Sequence, residues 1–168
     1  PKADISESGK FRLNGGEALV RWKKDGNMIL PYEFIPVLEN TGQIFQLDSF
    51  IWEEACIYMR KWLDQGISMP VSVNISRKDV LVTDLSVYFI ELVKKYDLPP
   101  SMLRLEITEN AYIDESDKLI ETVKKLKEQG FTVEMDDFGS GFSSLNMLQN
   151  VPVDVLKLDM KFLKLNLN

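Results

Sequence analysis

Phe131-Thr132-Val133-Glu134-Met135-Asp136-Asp137 is the stretch on which the fold turns. Side chains alternate across a strand, so Phe131, Val133 and Met135 share one face while Glu134 and Asp136 share the other. Two earlier segments repeat the pattern. In VSVNIS (71–76), Val71, Val73 and Ile75 oppose Asn74; in LRLEIT (103–108), Leu103, Leu105 and Ile107 oppose Glu106. A fourth apolar segment, VDVLKLD (153–159), carries Lys157. The apolar parity would pack beneath helices, and the polar parity would point oxygen ligands toward one interior.

Helical patterns lie between these segments, which predicts parallel βαβ units. Ile44, Leu47, Ile51, Ala55, Tyr58 and Trp62 recur in steps of three and four and mark a long helix over 44–65. Further helices are expected over about 85–96, over 116–129 before Gly130, and over a short stretch near 144–149. The fold class is therefore α/β, a TIM-like β/α barrel, in which catalytic groups gather at the C-terminal ends of several strands. A complete barrel of this kind takes about 250 residues, so a chain of 168 implies an incomplete one.

The chain has no histidine. Carboxylate and amide oxygens suit Mg²⁺ or Mn²⁺, whereas zinc sites ordinarily recruit Cys or His. A net charge of −6 argues against a surface that binds DNA or RNA polymers by counterion release. Bound cations can invert a local potential, so a phosphate ligand stays compatible with the acidic balance. Cys56 is the sole cysteine, inside an amphipathic stretch; it is expected to be a buried structural thiol, and cytoplasmic location is the expectation. No apolar run approaches the roughly 20 residues of a membrane span, and no signal peptide is visible. The first residue is Pro1, as a trimmed fragment would show.

Two motifs carry the chemistry. Gly15-Gly16-Glu17-Ala18-Leu19-Val20-Arg21-Trp22 is expected to be one strand, which places Glu17 and Arg21 on the same face at period two; an internal ion pair explains that spacing as well as a site does. Asp136-Asp137-Phe138-Gly139-Ser140-Gly141-Phe142-Ser143-Ser144-Leu145 is more specific. Adjacent acids at a strand end let one carboxylate bridge two cations, and the glycines allow the following loop to close. The strand is expected to end at Asp136, with the backbone turning so that both carboxylates face the site. Arg104 and Glu134 have the inward parity and are expected to pair, since a buried charge needs a partner.

Glu17-Ala18-Leu19, Asn74 in VSVNIS, Glu106 and Glu109 in LEITEN, DDFGSGFSSL and Lys157 in LKLD stand in the order and spacing of the EAL domain family, which the chain resembles from about Gly15 to Asp159. The resemblance implies a β/α barrel with one antiparallel strand that hydrolyses cyclic di-GMP to linear pGpG with Mg²⁺ or Mn²⁺. It implies that Glu17, Asn74, Glu106 and Asp136 hold one metal and that Asp136 and Asp137 serve a second. Lys157 would contact the attacking water, Glu109 would anchor the loop after Asp137, and Leu19 and Arg21 would meet substrate. Ser140 and Phe142 stand where the family usually has Thr and Tyr.

The family also has a glutamate on a seventh strand and a glutamine near an eighth, which these residues do not include. Residues 1–168 are accordingly expected to be an EAL domain fragment, motif-bearing over 15–159, with a partial first strand, lacking the last two strands and inactive by itself. The resemblance further raises a homodimer, through the helix after the DDFGSG loop, and GGDEF or sensory domains in the parent protein. A non-catalytic cyclic di-GMP receptor and an enolase-like site remain the alternative readings.

Overall fold

The computed structural model describes residues 1–5, 11–108, 116–139 and 152–159. In chain order the elements are β1 (Lys2–Ile5), β2 (Phe11–Glu17), β3 (Trp22–Lys24), β4 (Asn27–Ile29), α1 (Pro31–Thr41), α2 (Ile44–Asp64), β5 (Val71–Ile75), α3 (Asp79–Val82) and α4 (Leu85–Lys95). A 3₁₀ turn (Pro100–Met102) then leads to β6 (Leu103–Thr108), α5 (Ser116–Glu128), β7 (Thr132–Phe138) and β8 (Val155–Leu158).

Six strands form one sheet in the order β1-β2-β5-β6-β7-β8. β1 runs antiparallel to β2, and every later neighbour is parallel. The sheet is a curled half-barrel, the incomplete TIM-like form expected from the alternating pattern. Among the described residues, no helix is long and apolar enough to cross a membrane.

The apolar parity packs outward as expected. Val73, Leu103, Leu105, Val133 and Met135 are each 0% exposed and join Trp52, Cys56, Met59 and Phe89 in one core. Trp52 Nε1 donates to the Asn74 carbonyl at 2.9 Å, which ties α2 to the C-terminal end of β5 and satisfies the one polar atom of a buried indole. The buried residues of α2 are Ile44, Trp52, Ala55, Cys56 and Met59, so the expected face is buried at Ile44 and Ala55 and the stripe is rotated from it toward Trp52, Cys56 and Met59. Tyr58 on that other face is half exposed. The helix is apolar on two sides, so periodicity alone could not choose between them. Cys56 is fully buried, and burial pushes its thiol up to about 12, which fits a structural role.

Three features depart from the sequence reading. The first motif is not one strand: β2 stops at Glu17, and Arg21 lies in the link to a separate hairpin, β3–β4. That hairpin turns on Asp25 (φ 50°) and Gly26 (φ 82°), the positive-φ pair a two-residue loop demands. Secondly, β7 does not end at Asp136; it continues through Phe138. Thirdly, α1 and α3 form where no helix was expected, α1 packing on α2 and α3 on α2 and α5. Glu109, the short helix near 144–149 and residues 140–145 of the second motif lie outside the described residues.

Candidate metal centre at the strand ends

Staggered strands bring the site together. Asn74 is level with Glu106, and Thr108 is level with Asp136, so each successive strand steps the ligands around the curl. One carboxylate oxygen each from Glu17, Glu106 and Asp136 lies within 4.8 Å of the others. Glu106 is 1% exposed, and its Oε2 is buried with no hydrogen-bond partner. An unpartnered buried carboxylate oxygen is costly unless a cation supplies its missing contact. The donor set is all oxygen and anionic, the chemistry that suits Mg²⁺ or Mn²⁺. Asn74 stands on the same face but is exposed.

Asp136 and Asp137 sit in a β-bulge. Met135 pairs with Leu156 and Phe138 pairs with Leu158, so Lys157 alone opposes the two acids. Asp137 takes φ 56°, uncommon for a non-glycine residue, and its N–H is hydrogen-bonded by Asp136 Oδ1 at 2.9 Å. The extra residue breaks the parity: Met135 and Phe138 both enter the core, and the two acids fall between them. A bulge inside the strand stands where a turn was expected; Asp136 joins the carboxylate cluster, whereas Asp137 is exposed and is not among the clustered carboxylates. The physical reason is economy, since a bulge re-aims side chains without ending the ladder.

Lys157 projects into the acids. Its Nζ is 2.5 Å from Glu106 Oε1, 3.4 Å from Asp136 Oδ2 and 3.7 Å from Glu134 Oε2. Burial works against the charged Lys157, but the Glu106 hydrogen bond and the negative charge of Glu106, Asp136 and Glu17 outweigh it and raise its pKa. It is an ammonium at neutral pH. Burial would raise Glu106, yet hydrogen bonds from Lys157 and Lys2 prevail and hold it well below the usual carboxylate range.

Below this layer lies a second. Arg104 Nη1 is 3.5 Å from Glu134 Oε1, so the expected pair forms. Its closer contact is with Asn14: Arg104 Nη2 donates to Asn14 Oδ1 at 3.0 Å. Glu134 is level with Glu106 rather than with Arg104, and its nearest cation is Lys2, 2.6 Å from Oε2. Nothing local in the sequence singles out Lys2: it stands thirteen residues before the first motif at Gly15 and gains a role only when the antiparallel β1 carries it across β2.

Leu19 and Arg21 are not part of the carboxylate cluster. They line a neighbouring hollow of about 600 Å³ with Trp22, Phe34 and Phe50. Arg21 is exposed, its Nη1 donating to the Val20 carbonyl at 2.8 Å.

The EAL domain profile matches residues 5–168. The signaling protein YkoW of Bacillus subtilis is 37% identical over 155 residues, which cover 92% of this chain and 19% of that protein. The bifunctional diguanylate cyclase/cyclic di-GMP phosphodiesterase MucR of Pseudomonas aeruginosa is 35% identical over 151 residues, 89% of this chain and 22% of that one. A solved structure of the MucR phosphodiesterase in complex with c-di-GMP superposes with a TM-score of 0.79 at 32% identity, covering 94% of this chain and 66% of the other. The chain thus spans about a fifth of the length of these two relatives.

Proposed function

Because the chain belongs to the EAL domain family, we propose that its acidic mouth serves metal-dependent hydrolysis of cyclic di-GMP to the linear dinucleotide. The observation that carries the reading is the convergence of Glu17, Glu106 and Asp136 within 4.8 Å, with a buried Glu106 oxygen lacking any donor. Glu17, Glu106 and Asp136 would hold Mg²⁺ or Mn²⁺, with Asn74 and Asp137 completing the sets that the family pattern assigns. Divalent cations there would lower the pKa of water and neutralise charge on the phosphodiester.

The chain's own residues have distinct tasks. Lys157, kept as an ammonium, donates a hydrogen bond and positive charge; a proton abstraction would need a neutral amine, so its task is to orient the attacking water and stabilise developing negative charge. Arg21, exposed and lining the hollow with Leu19, would meet a phosphate, and Leu19 would offer apolar surface to the dinucleotide. Glu109 would anchor the loop that follows Asp137. MucR, by its name, joins a diguanylate cyclase to the phosphodiesterase, which supports GGDEF partners for this domain too.

The test is to incubate a full-length domain, extended through the last two strands of the family barrel, with cyclic di-GMP and Mn²⁺ and separate the nucleotides by ion exchange. Appearance of pGpG supports hydrolysis. Saturable binding with no product would instead establish the receptor reading.

A further inference from the structure

Lys2 reaches across the half-barrel from its first strand. Its Nζ lies 2.5 Å from Ser72 Oγ, 2.5 Å from Glu106 Oε1 and 2.6 Å from Glu134 Oε2, so a single ammonium spends its three donors on β5, β6 and β7. Backbone geometry delivers it. The register slips between Lys2, level with Gly15, and Ala3, level with Leu13, which leaves Asn14 as the extra residue of β2. Gly15 in turn lets β2 lie close against β5, because a Cβ there would lie 2.9 Å from the Pro70 carbonyl oxygen.

Glu106 and Glu134 are level on adjacent strands and each 1% exposed. Two buried carboxylates side by side repel, and leaving either unpaired is strongly unfavourable. Lys2 bridges them. Together with Lys157 it also occupies Glu106 Oε1, while Oε2 of the same group has no partner. One carboxylate is thereby divided between two ammoniums and an open oxygen.

We propose that Lys2 is a positioning residue for the metal centre, holding Glu106 by Oε1 so that Oε2 is presented for a divalent cation, and holding Glu134 back from that cation. The inference rests on the proposed metal site. Without Lys2, Glu134 would draw Lys157 inward from its present 3.7 Å, away from Asp136, and Glu106 would be free to rotate. Groups that orient a metal ligand from behind are typically worth about 10–100-fold in metal affinity.

The experiment measures Mn²⁺ binding to the purified chain by the loss of the free-ion EPR signal, without substrate, together with thermal unfolding. Wild type, Lys2→Met, Lys2→Arg and the double variant Lys2→Met/Glu134→Gln are compared. Lys2→Met should bind Mn²⁺ about 10–100-fold more weakly, and Lys2→Arg should recover most of the loss. The double variant removes the uncompensated acid, so its thermal stability should return toward wild type while Mn²⁺ affinity stays low. A role limited to charge compensation predicts that both return, and that result would overturn the proposal, as would Lys2→Met binding Mn²⁺ as tightly as wild type. Failure of Lys2→Met to fold leaves the double variant as the deciding measurement. If wild type itself binds no Mn²⁺, the metal-site reading falls and the Lys2 proposal with it; if wild type binds and the variants match it, only the Lys2 proposal fails.

Discussion

Lys157 Nζ lies 2.5 Å from Glu106 Oε1, pairing a lysine of the last described strand with a carboxylate two strands away. The pair joins the two roles proposed for the site, holding metal and directing water. In a full-length domain, replacing Lys157 by Met should lower kcat for cyclic di-GMP by about 10²–10³-fold, the usual cost of one lost donor aimed at developing charge. Mn²⁺ binding should change far less. Steady-state rates at saturating Mn²⁺ check this, and an unchanged kcat would remove Lys157 from the reaction.

The ligands themselves should behave differently. Glu106→Gln and Asp136→Asn keep the shape of each side chain and remove its charge, so both should raise the Mn²⁺ concentration needed for turnover and lower kcat by orders of magnitude. Near wild-type turnover in either variant would contradict the assignment.

A second acidic pair, Asp48 and Asp79, sets a pH dependence. Burial first, and then repulsion from Asp79, push Asp48 up to about 8; burial also raises Asp79. Asp79 Oδ1 is buried without a donor while both acids are ionised, and a proton held between the two makes one carboxyl a donor to the other. The folded chain binds that proton more tightly than the unfolded chain, whose carboxyls titrate near the ordinary 3.8. The stabilising contribution is therefore complete below about pH 4 and is lost as pH rises toward 8. Thermal unfolding at pH 5 and pH 9 should show a lower Tm at the higher pH, and about 1 kcal/mol corresponds to about 2–4 °C for a domain of this size. Asp48→Asn should flatten the profile; an unchanged slope would place the effect elsewhere.

Gly15 and Gly16 make a controlled comparison. A Cβ on Gly15 meets the Pro70 carbonyl at 2.9 Å, whereas a Cβ on Gly16 meets nothing within 4 Å. Gly15→Ala should cost about 1–3 kcal/mol through overpacking, and Gly16→Ala should stay within about 0.5 kcal/mol. Equal effects in chemical denaturation would show that β2 does not approach β5 so closely.

Much of this arrangement is legible in the sequence, for a definite reason. Strands buried on one face and acidic on the other announce themselves by period two, so Asn74, Glu106 and Asp136 could be assigned to one interior before any coordinates. Asp137 could not be placed by parity, because a bulge inserts one residue and inverts the alternation beyond it. Arg21 misled for a related cause: four-residue spacing means a shared face only if the strand persists, and β2 ends at Glu17. Lys2 was invisible because its importance comes from an antiparallel crossing, a pairing between strands that no local pattern encodes. The outward face of α2 was ambiguous because both of its sides are apolar.

The central claim is that Glu17, Glu106 and Asp136 hold the divalent cation that serves phosphodiester cleavage. Anomalous diffraction at the manganese edge, from crystals grown with Mn²⁺ and cyclic di-GMP, tests it most directly. The account predicts an anomalous peak bounded by carboxylate oxygens of these three residues and adjacent to a ligand phosphate. Bound nucleotide with no peak at that position, or a peak held by other residues, would contradict it.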